Sequence, residues 1–336
     1  FETSWDFEAP PWGSSADSVG SVTQVRLADR IAEWSLRWAA ISHEQREQEE
    51  ANNRLVARAY DLVDEVPVDV PLHRVSLTRN VEFQFGSGRT RSEYAALERT
   101  QVATEVVSYA VGCMFGRYSL DQPGVIPGDQ GSTLQDYLAK VSAPTFTPDA
   151  DNVIPIVDGD WFEDDIVGRF RGFLRVMFGD RYFDENLNFV TESLGVKNLR
   201  EYFITKVGKS RFYDDHVQRY KKRPIYWLFS SPNGSFNALI YLHRYAPTSV
   251  STVLTYLREY VTKLESSLQQ HERAGNTKEA DRLRKILVEL NEYEHYTLYP
   301  KASENVVIDL NDGVKANYPK LGGALRKIAG LESSGD

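Results

Sequence analysis

The chain reads as an α+β protein, predominantly helical, with a small β-sheet around a central hairpin, a long N-terminal helix and a C-terminal antiparallel helical hairpin. Three observations carry this. Leu27, Ile31, Trp34, Trp38 and Ile41 recur at alternating spacings of four and three, the pattern of one helix face. Ile225 to Phe229 and Phe236 to Tyr245 are rich in β-branched and aromatic residues. They flank Ser231-Pro232-Asn233-Gly234-Ser235, a turn in which Asn233-Gly234 supplies the positive φ angles of a tight hairpin. Finally, Val253, Leu257, Tyr260, Leu264 and Leu268 form one apolar stripe and Leu283, Ile286, Leu290 and Tyr293 another, with Ala274-Gly275-Asn276 breaking the helix between them.

In chain order, the first stripe turns polar from Ser42 to Asn53 and resumes at Leu55, Val56, Tyr60 and Val63. This describes a helix that crosses a more exposed setting, returns to a buried one and ends at Pro67. Val66 to Phe85 reads as extended. Gly86-Ser87-Gly88 is a flexible loop carrying Arg89 and Arg91. Further helices are expected from Arg91 to about Tyr118 and from Phe162 to Phe178, with Pro- and Gly-rich connections between them. Pro224 has no backbone donor and suits the first residue of a strand. Asn276 with Glu279 makes a helix cap, and Val306 to Leu310 is a short strand before the Asn311-Asp312-Gly313 turn. Three segments result: 1–66 as a helical connector, 67–247 as an α+β region, and 248–336 as helical hairpin and tail.

At 336 residues the chain accommodates two domains, or one large domain with a helical extension, and a hydrophobic fraction of 41% is ample for a core. The lone Cys113 rules out an internal disulfide, suits a reducing cytoplasm, and in YAVGCMFGRY reads as a packed thiol. No uncharged run approaches the ~18 residues of a membrane span, and no signal-peptide pattern opens the chain. A cytoplasmic protein without membrane contact is therefore expected. Starting at Phe1, it reads as a fragment of something longer.

The net charge is -9, yet from Lys206 to Arg223 seven cations (Lys206, Lys209, Arg211, Arg219, Lys221, Lys222, Arg223) face only Asp214 and Asp215. Such local contrast suits an anionic polymer, and the interleaved Tyr213, His216 and Tyr220 offer flat groups for stacking. Solvated surface is the plainer reading of the same pattern. Lys221, Lys222 and Arg223 are candidates for phosphate contacts, and Arg211, Tyr213, Arg89 and Asn233 for base edges. The hairpin aromatics read as core.

Asp158, Asp160, Glu163, Asp164 and Asp165 form the densest acidic cluster, but all fall at the start of an expected helix, where negative charge favours the macrodipole. No metal site is assigned to them, and a metal-dependent nuclease built on them ranks last among the functional readings. Phe85-Gly86-Ser87-Gly88 lacks the βαβ setting of a cofactor loop. Ala9-Pro10-Pro11-Trp12 lacks the amide that an Asn-Pro-Pro-aromatic motif uses to grip adenine. The six histidines show no ligand spacing, and no catalytic set is present.

Phe-Glu-Thr-Ser-Trp-Asp-Phe at the start, YAVGCMFGRYSLD at 109–121, DNVIPIVDGDWFEDDI at 151–166, YKKRPIYWLFSSPNGSFNALIYLHRY at 220–245 and DLNDGVKANYPKLG at 309–322 resemble the C-terminal half of the PglX family, adenine-specific DNA methyltransferases of BREX phage-defence systems. The long hairpin motif is the most specific part. The resemblance implies that the S-adenosylmethionine loop and the adenine-gripping motif lie upstream, in a methyltransferase domain to which residues 1–66 connect, so that no cofactor is expected in this segment. It also implies that residues 67–247 serve target recognition on double-stranded DNA. The rival expectation is a scaffold that docks other BREX proteins through the helical hairpin and the acidic faces.

Overall fold

The computed structural model describes residues 2–4, 6–12 and 24–331; Phe1 and Trp5 of the opening motif lie outside them. The described residues are predominantly helical around a small antiparallel sheet. The helices are α1 (Leu27–Ala59), α2 (Val81–Phe85), α3 (Arg91–Met114), α4 (Leu134–Lys140), α5 (Ile166–Phe178), α6 (Phe183–Leu194), α7 (Leu199–Phe203), α8 (Arg211–Arg219), α9 (Ser249–Arg273), α10 (Thr277–Tyr293), α11 (Tyr299–Glu304) and α12 (Val314–Leu321). The strands are β1 (Ile154–Pro155), β2 (Tyr226–Ser230) and β3 (Asn237–Tyr241). Two compact units divide the chain by contact rather than by sequence order. One holds the residues up to Pro10, Val107–Met177 and everything from Val196 onward; the other holds Pro11–Val106 and Phe178–Gly195. This grouping cuts across the three consecutive segments read along the chain.

The first unit is built on the hairpin. The strand order is β1-β3-β2, with Trp227 opposite Ile240 and Leu228 opposite Leu239. Every residue of β2 and β3 is buried, so both faces of the sheet are covered. Phe115 stacks on Tyr226 with centroids 5.4 Å apart, and Trp227 meets Tyr318 of α12 edge-on at 5.0 Å. Each large side chain buried in this way contributes about 1.5–3 kcal/mol, which is why so short a sheet persists. The hairpin loop is longer than the tight turn expected. Gly234 takes φ +72°, Asn233 does not join it at positive φ, and the Ser231 N–H donates to the Phe236 carbonyl across the loop at 3.0 Å.

α9 and α10 form the antiparallel helical hairpin, burying Val253, Leu257, Tyr260 and Leu264 against Leu283, Leu287, Leu290 and Tyr293. Gly275 turns the chain at φ +70°, and the Asn276 side chain accepts the Glu279 N–H at 3.3 Å, the cap expected from the sequence. Val306 to Leu310 is not a strand. It is irregular and enters a 3-10 turn at Leu310–Asp312, because the Asn317 side-chain amide takes the Asp309 carbonyl and its oxygen takes the Asp309 N–H, the groups a neighbouring strand would have used.

In the second unit, α1 buries Leu27, Ile31 and Trp34 as expected but ends at Ala59, eight residues before Pro67. Asp61 adopts φ +58° and the Leu62 N–H returns to the Ala57 carbonyl at 2.8 Å, terminating the helix. Leu55, Val56, Tyr60 and Val63 are exposed rather than returned to a core. The stretch expected to be extended contains a 3-10 turn at Leu72–Arg74 and α2, which Asn80 initiates by accepting the Glu82 N–H at 3.1 Å. The loop Gly86–Gly88 lies between two helices, closed by the Tyr94 hydroxyl on the Gly86 carbonyl at 2.7 Å. It is therefore a helix connection and has no strand before it. Elsewhere the expected boundaries shorten: α3 stops at Met114, before Gly116 turns at φ +74°, and α5 starts at Ile166.

Candidate nucleic-acid interface

The cations of 206–223 divide over three local structures. Residues 205–209 form a closed loop, with the Thr205 N–H on the Lys209 carbonyl at 2.8 Å and the Gly208 N–H on the Thr205 carbonyl at 2.9 Å. Lys206 and Lys209 project from it into solvent. Gly208, at φ +72°, lies back to back with Gly234 of the hairpin tip; a methyl group on Gly234 would sit 2.6 Å from the Gly208 Cα. Only glycine permits this approach, and it places Asn233, exposed at the tip, beside the lysine loop.

The tip is held from beneath by Glu289 of α10, which is 8% exposed. Its carboxylate accepts the Asn233 N–H at 2.9 Å and the hydroxyls of Ser231 and Ser235. The N–H groups of Ser231, Asn233 and Gly234 are thus committed internally, and the side chain of Asn233 is exposed.

α8 follows, capped by Ser210, whose hydroxyl accepts the Tyr213 N–H at 3.1 Å. Phe212, Tyr213 and His216 form its inward face. Tyr213 has no exposed surface, which corrects its assignment as a base-reading loop residue: it lies on a helix, in the core, with its ring 6.1 Å from that of His216. His216 accepts the Tyr226 N–H at 3.2 Å, and burial, reinforced by Arg219 and Arg117, pushes its pKa down to about 3. It is a neutral acceptor at the start of β2 and no stacking platform. Tyr220 is half-buried against His216 at 4.8 Å. Arg211 is exposed on α8, with its guanidinium over the Tyr202 ring at 5.6 Å. Arg219 turns inward to Glu2 at 3.3 Å.

The third structure is the exit from α8. Lys221 and Lys222 take φ +50° and +61°, two successive left-handed residues that are not glycine. Each costs about 1–2 kcal/mol. They close the helix through the Lys221 N–H on the Gln218 carbonyl at 3.0 Å and the Lys222 N–H on the Val217 carbonyl at 2.8 Å. The turn casts Lys221, Lys222 and Arg223 outward just before Pro224 starts the strand segment. Strain kept at exposed cations is an observation from which function can be argued.

Cations that the sequence reading did not select join them. The tail at 325–327 runs along β2: Leu325 bridges to Phe229, the Arg326 N–H donates to the Leu228 carbonyl at 2.8 Å, and the Arg326 guanidinium donates to the Gly208 carbonyl at 2.8 Å. Lys222 reaches the Ala329 carbonyl at 3.4 Å, and Lys327 is exposed. More than 100 residues separate the two runs in sequence, and the tail's only signal is the Arg-Lys pair in ALRKIAG. Arg89 and Arg91 belong to the other unit. Arg89 there folds onto the carbonyls of Phe85 and Gly86.

The acidic cluster is matched by arginines. Arg200 bridges Asp160 at 2.5 Å and Asp165 at 2.6 Å, and Arg169 reaches Asp164 at 3.5 Å. Asp165 also accepts the Gly168 N–H at 2.8 Å, initiating α5. Among the described residues no group of three or more His, Cys, Asp or Glu is arranged to hold a metal ion, and no helix is long and apolar enough to cross a membrane.

The hairpin tip and the lysine loop are thus locked together, and Lys221, Lys222 and Arg223 are exposed at the other end of α8. No family model matches the chain. Among curated proteins it is similar to one part of adenine-specific methyltransferases. The adenine-specific methyltransferase BrxX of Escherichia coli O9:H4 (strain HS) is 34% identical over 76% of this chain and 23% of that protein. The adenine-specific methyltransferase PglX of Lacticaseibacillus casei (strain Zhang) is 31% identical over 92% of this chain and 26% of that protein. The chain is PglX/BrxX-like, consistent with the C-terminal part of such proteins, as its motifs indicated. It spans about a quarter of the length of the curated relatives it matches.

Proposed function

We propose that this chain is the segment of a BREX adenine-specific DNA methyltransferase that holds and selects double-stranded DNA, while an upstream domain binds S-adenosylmethionine and transfers the methyl group. The observation that carries the reading is that Lys206 and Lys209 before α8, and Lys221, Lys222 and Arg223 after it, are all exposed, in a chain of net charge -9. Lys221, Lys222 and Arg223 neutralise phosphates and fix the position of the duplex. Asn233, with Arg211 beside the patch, supplies groups for base edges. In this reading the first 66 residues connect to the catalytic domain, the middle of the chain recognises the target, and the enzyme works in the cytoplasm.

The test is the salt dependence of DNA binding by the full-length enzyme carrying Lys221→Ala, Lys222→Ala and Arg223→Ala together. Loss of three counterion-releasing contacts lowers the log-log slope by about 2–3 units. Affinity falls alike on cognate and random DNA. An unchanged slope and affinity would return the patch to solvated surface and the reading with it.

A further inference from the structure

The second unit carries a feature that DNA binding leaves unused. α1 has two apolar stripes: Leu27, Ile31 and Trp34 are buried in the unit, whereas Ala28, Ala32, Leu36 and Ala39 line an open groove against α3, with Leu36 63% exposed. The groove encloses about 760 Å³, and Tyr94 and Ala95 of α3 form its facing wall. From Ala28 to Ala39 the stripe runs for about 16 Å at the rise of an α-helix. Small residues on both walls admit another helix backbone at close range.

The groove is also charged with one sign in excess. Arg79 lies at its floor, paired with Glu105 at 2.6 Å and beneath the Trp34 ring at 4.5 Å. Arg89, Arg91 and Arg99 are exposed along its edge. The lining holds two acids, Glu82 and Glu98, the latter also accepting the Ser35 hydroxyl at 2.7 Å, against three exposed arginines. The apolar stripe of α1 suits an apolar face better than a phosphate backbone, and an arginine edge disfavours a basic partner.

We infer that this groove docks an amphipathic helix of a partner protein, about three turns long, with an apolar face set against Ala32, Leu36 and Ala39 and carboxylates set against Arg91 and Arg99. This is the helix-in-groove mode, in which apolar anchors give affinity and edge charges give orientation. DNA binding through the other unit does not depend on it.

The probe is a fluorescein-labelled helical peptide with a Leu/Ala face and a Glu edge, paired with an otherwise identical Lys-edged peptide, titrated against the protein by anisotropy. The Glu-edged peptide is expected to bind at least tenfold tighter, to lose most of that preference in 0.5 M salt, and to lose binding in Leu36→Glu. The pair Arg91→Glu and Arg99→Glu changes two exposed residues, Arg99 giving up its place over the Phe189 ring at 4.9 Å, and is expected to reverse the preference in favour of the Lys-edged peptide. Equal binding of the two peptides, or no reversal in the charge-swapped variant, overturns the inference. So does a protein that is dimeric by light scattering and becomes monomeric in Leu36→Glu while neither peptide binds, since the occupant is then a second copy. DNA affinity is measured on the same variants: its loss would disturb the proposed function, whereas its retention with no peptide binding defeats the groove alone.

Discussion

Two short runs of the chain carry dense charge, and the fold treats them in opposite ways. Of the acids from Asp158 to Asp165, Asp160 and Asp165 are drawn into ion pairs with Arg200 and Asp164 into one with Arg169, and Asp165 is almost wholly buried. The cations from Lys206 to Arg223, Arg219 excepted, are turned outward, and Lys206, Lys209, Lys221 and Arg223 enter no ion pair among the described residues. Local charge density is therefore a poor guide to function until one knows what matches it. Charge matched within the molecule holds the molecule together; charge left unmatched at the expense of backbone strain is available to something outside.

The sharpest way to break this contrast is to remove the cation on the matched side. Arg200→Ala strands Asp165 as a buried carboxylate and removes a bond to the Val157 carbonyl. A loss of about 3–5 kcal/mol is expected by urea denaturation, as for a buried pair deprived of one partner. A loss under about 1 kcal/mol would show that solvent serves the acids as well as Arg200 does.

A smaller effect comes from His216, which joins the patch to the sheet. Its folded pKa lies below the unfolded value of about 6.5, so the unfolded chain takes up the proton first as pH falls. Stability is complete above pH 6.5 and declines between there and pH 3, by about 2 kcal/mol at pH 5. Gln at this position keeps an acceptor for the Tyr226 N–H and removes the titration. His216→Gln should flatten that limb between pH 7 and 5, measured as midpoint against pH, and an unaltered limb would place the acid sensitivity elsewhere.

The smallest effect has the opposite sign. Lys222→Gly relieves a left-handed residue, so the protein should gain up to about 1 kcal/mol in thermal denaturation. DNA affinity should fall, because a phosphate contact is lost. A variant that is both more stable and a better binder would disconnect the strain from the function.

What could be read in advance follows from the range of the interactions involved. The helical hairpin, its Gly275 turn and its Asn276 cap depend on residues within a few positions of one another, and all were legible. So was the outward cation run. The burial of Tyr213 was legible in principle, since Phe212, Tyr213, His216 and Tyr220 follow helical spacing, but the surrounding cations masked a helix of only nine residues. The end of α1 escaped because Asp61 stops it through a left-handed backbone that its side chain does not announce. Arg326, Glu289 and Gly208 escaped for a stronger reason: each acts on a partner 50 or more residues away, or through a backbone contact that no pattern of side chains records.

The contact between Gly208 and Gly234 bears on how such a surface can be changed. Because each glycine occupies the space that a side chain on the other would need, residues 205–209 and 231–235 cannot be redesigned separately. A longer or bulkier tip grafted from another protein would strike the lysine loop at its backbone, and an altered lysine loop would displace the tip from Glu289. The two loops form one exchangeable cassette, with Glu289 and Arg326 as the sockets that receive it, and transplanting both together is the route by which new tips can be installed on an unaltered chassis.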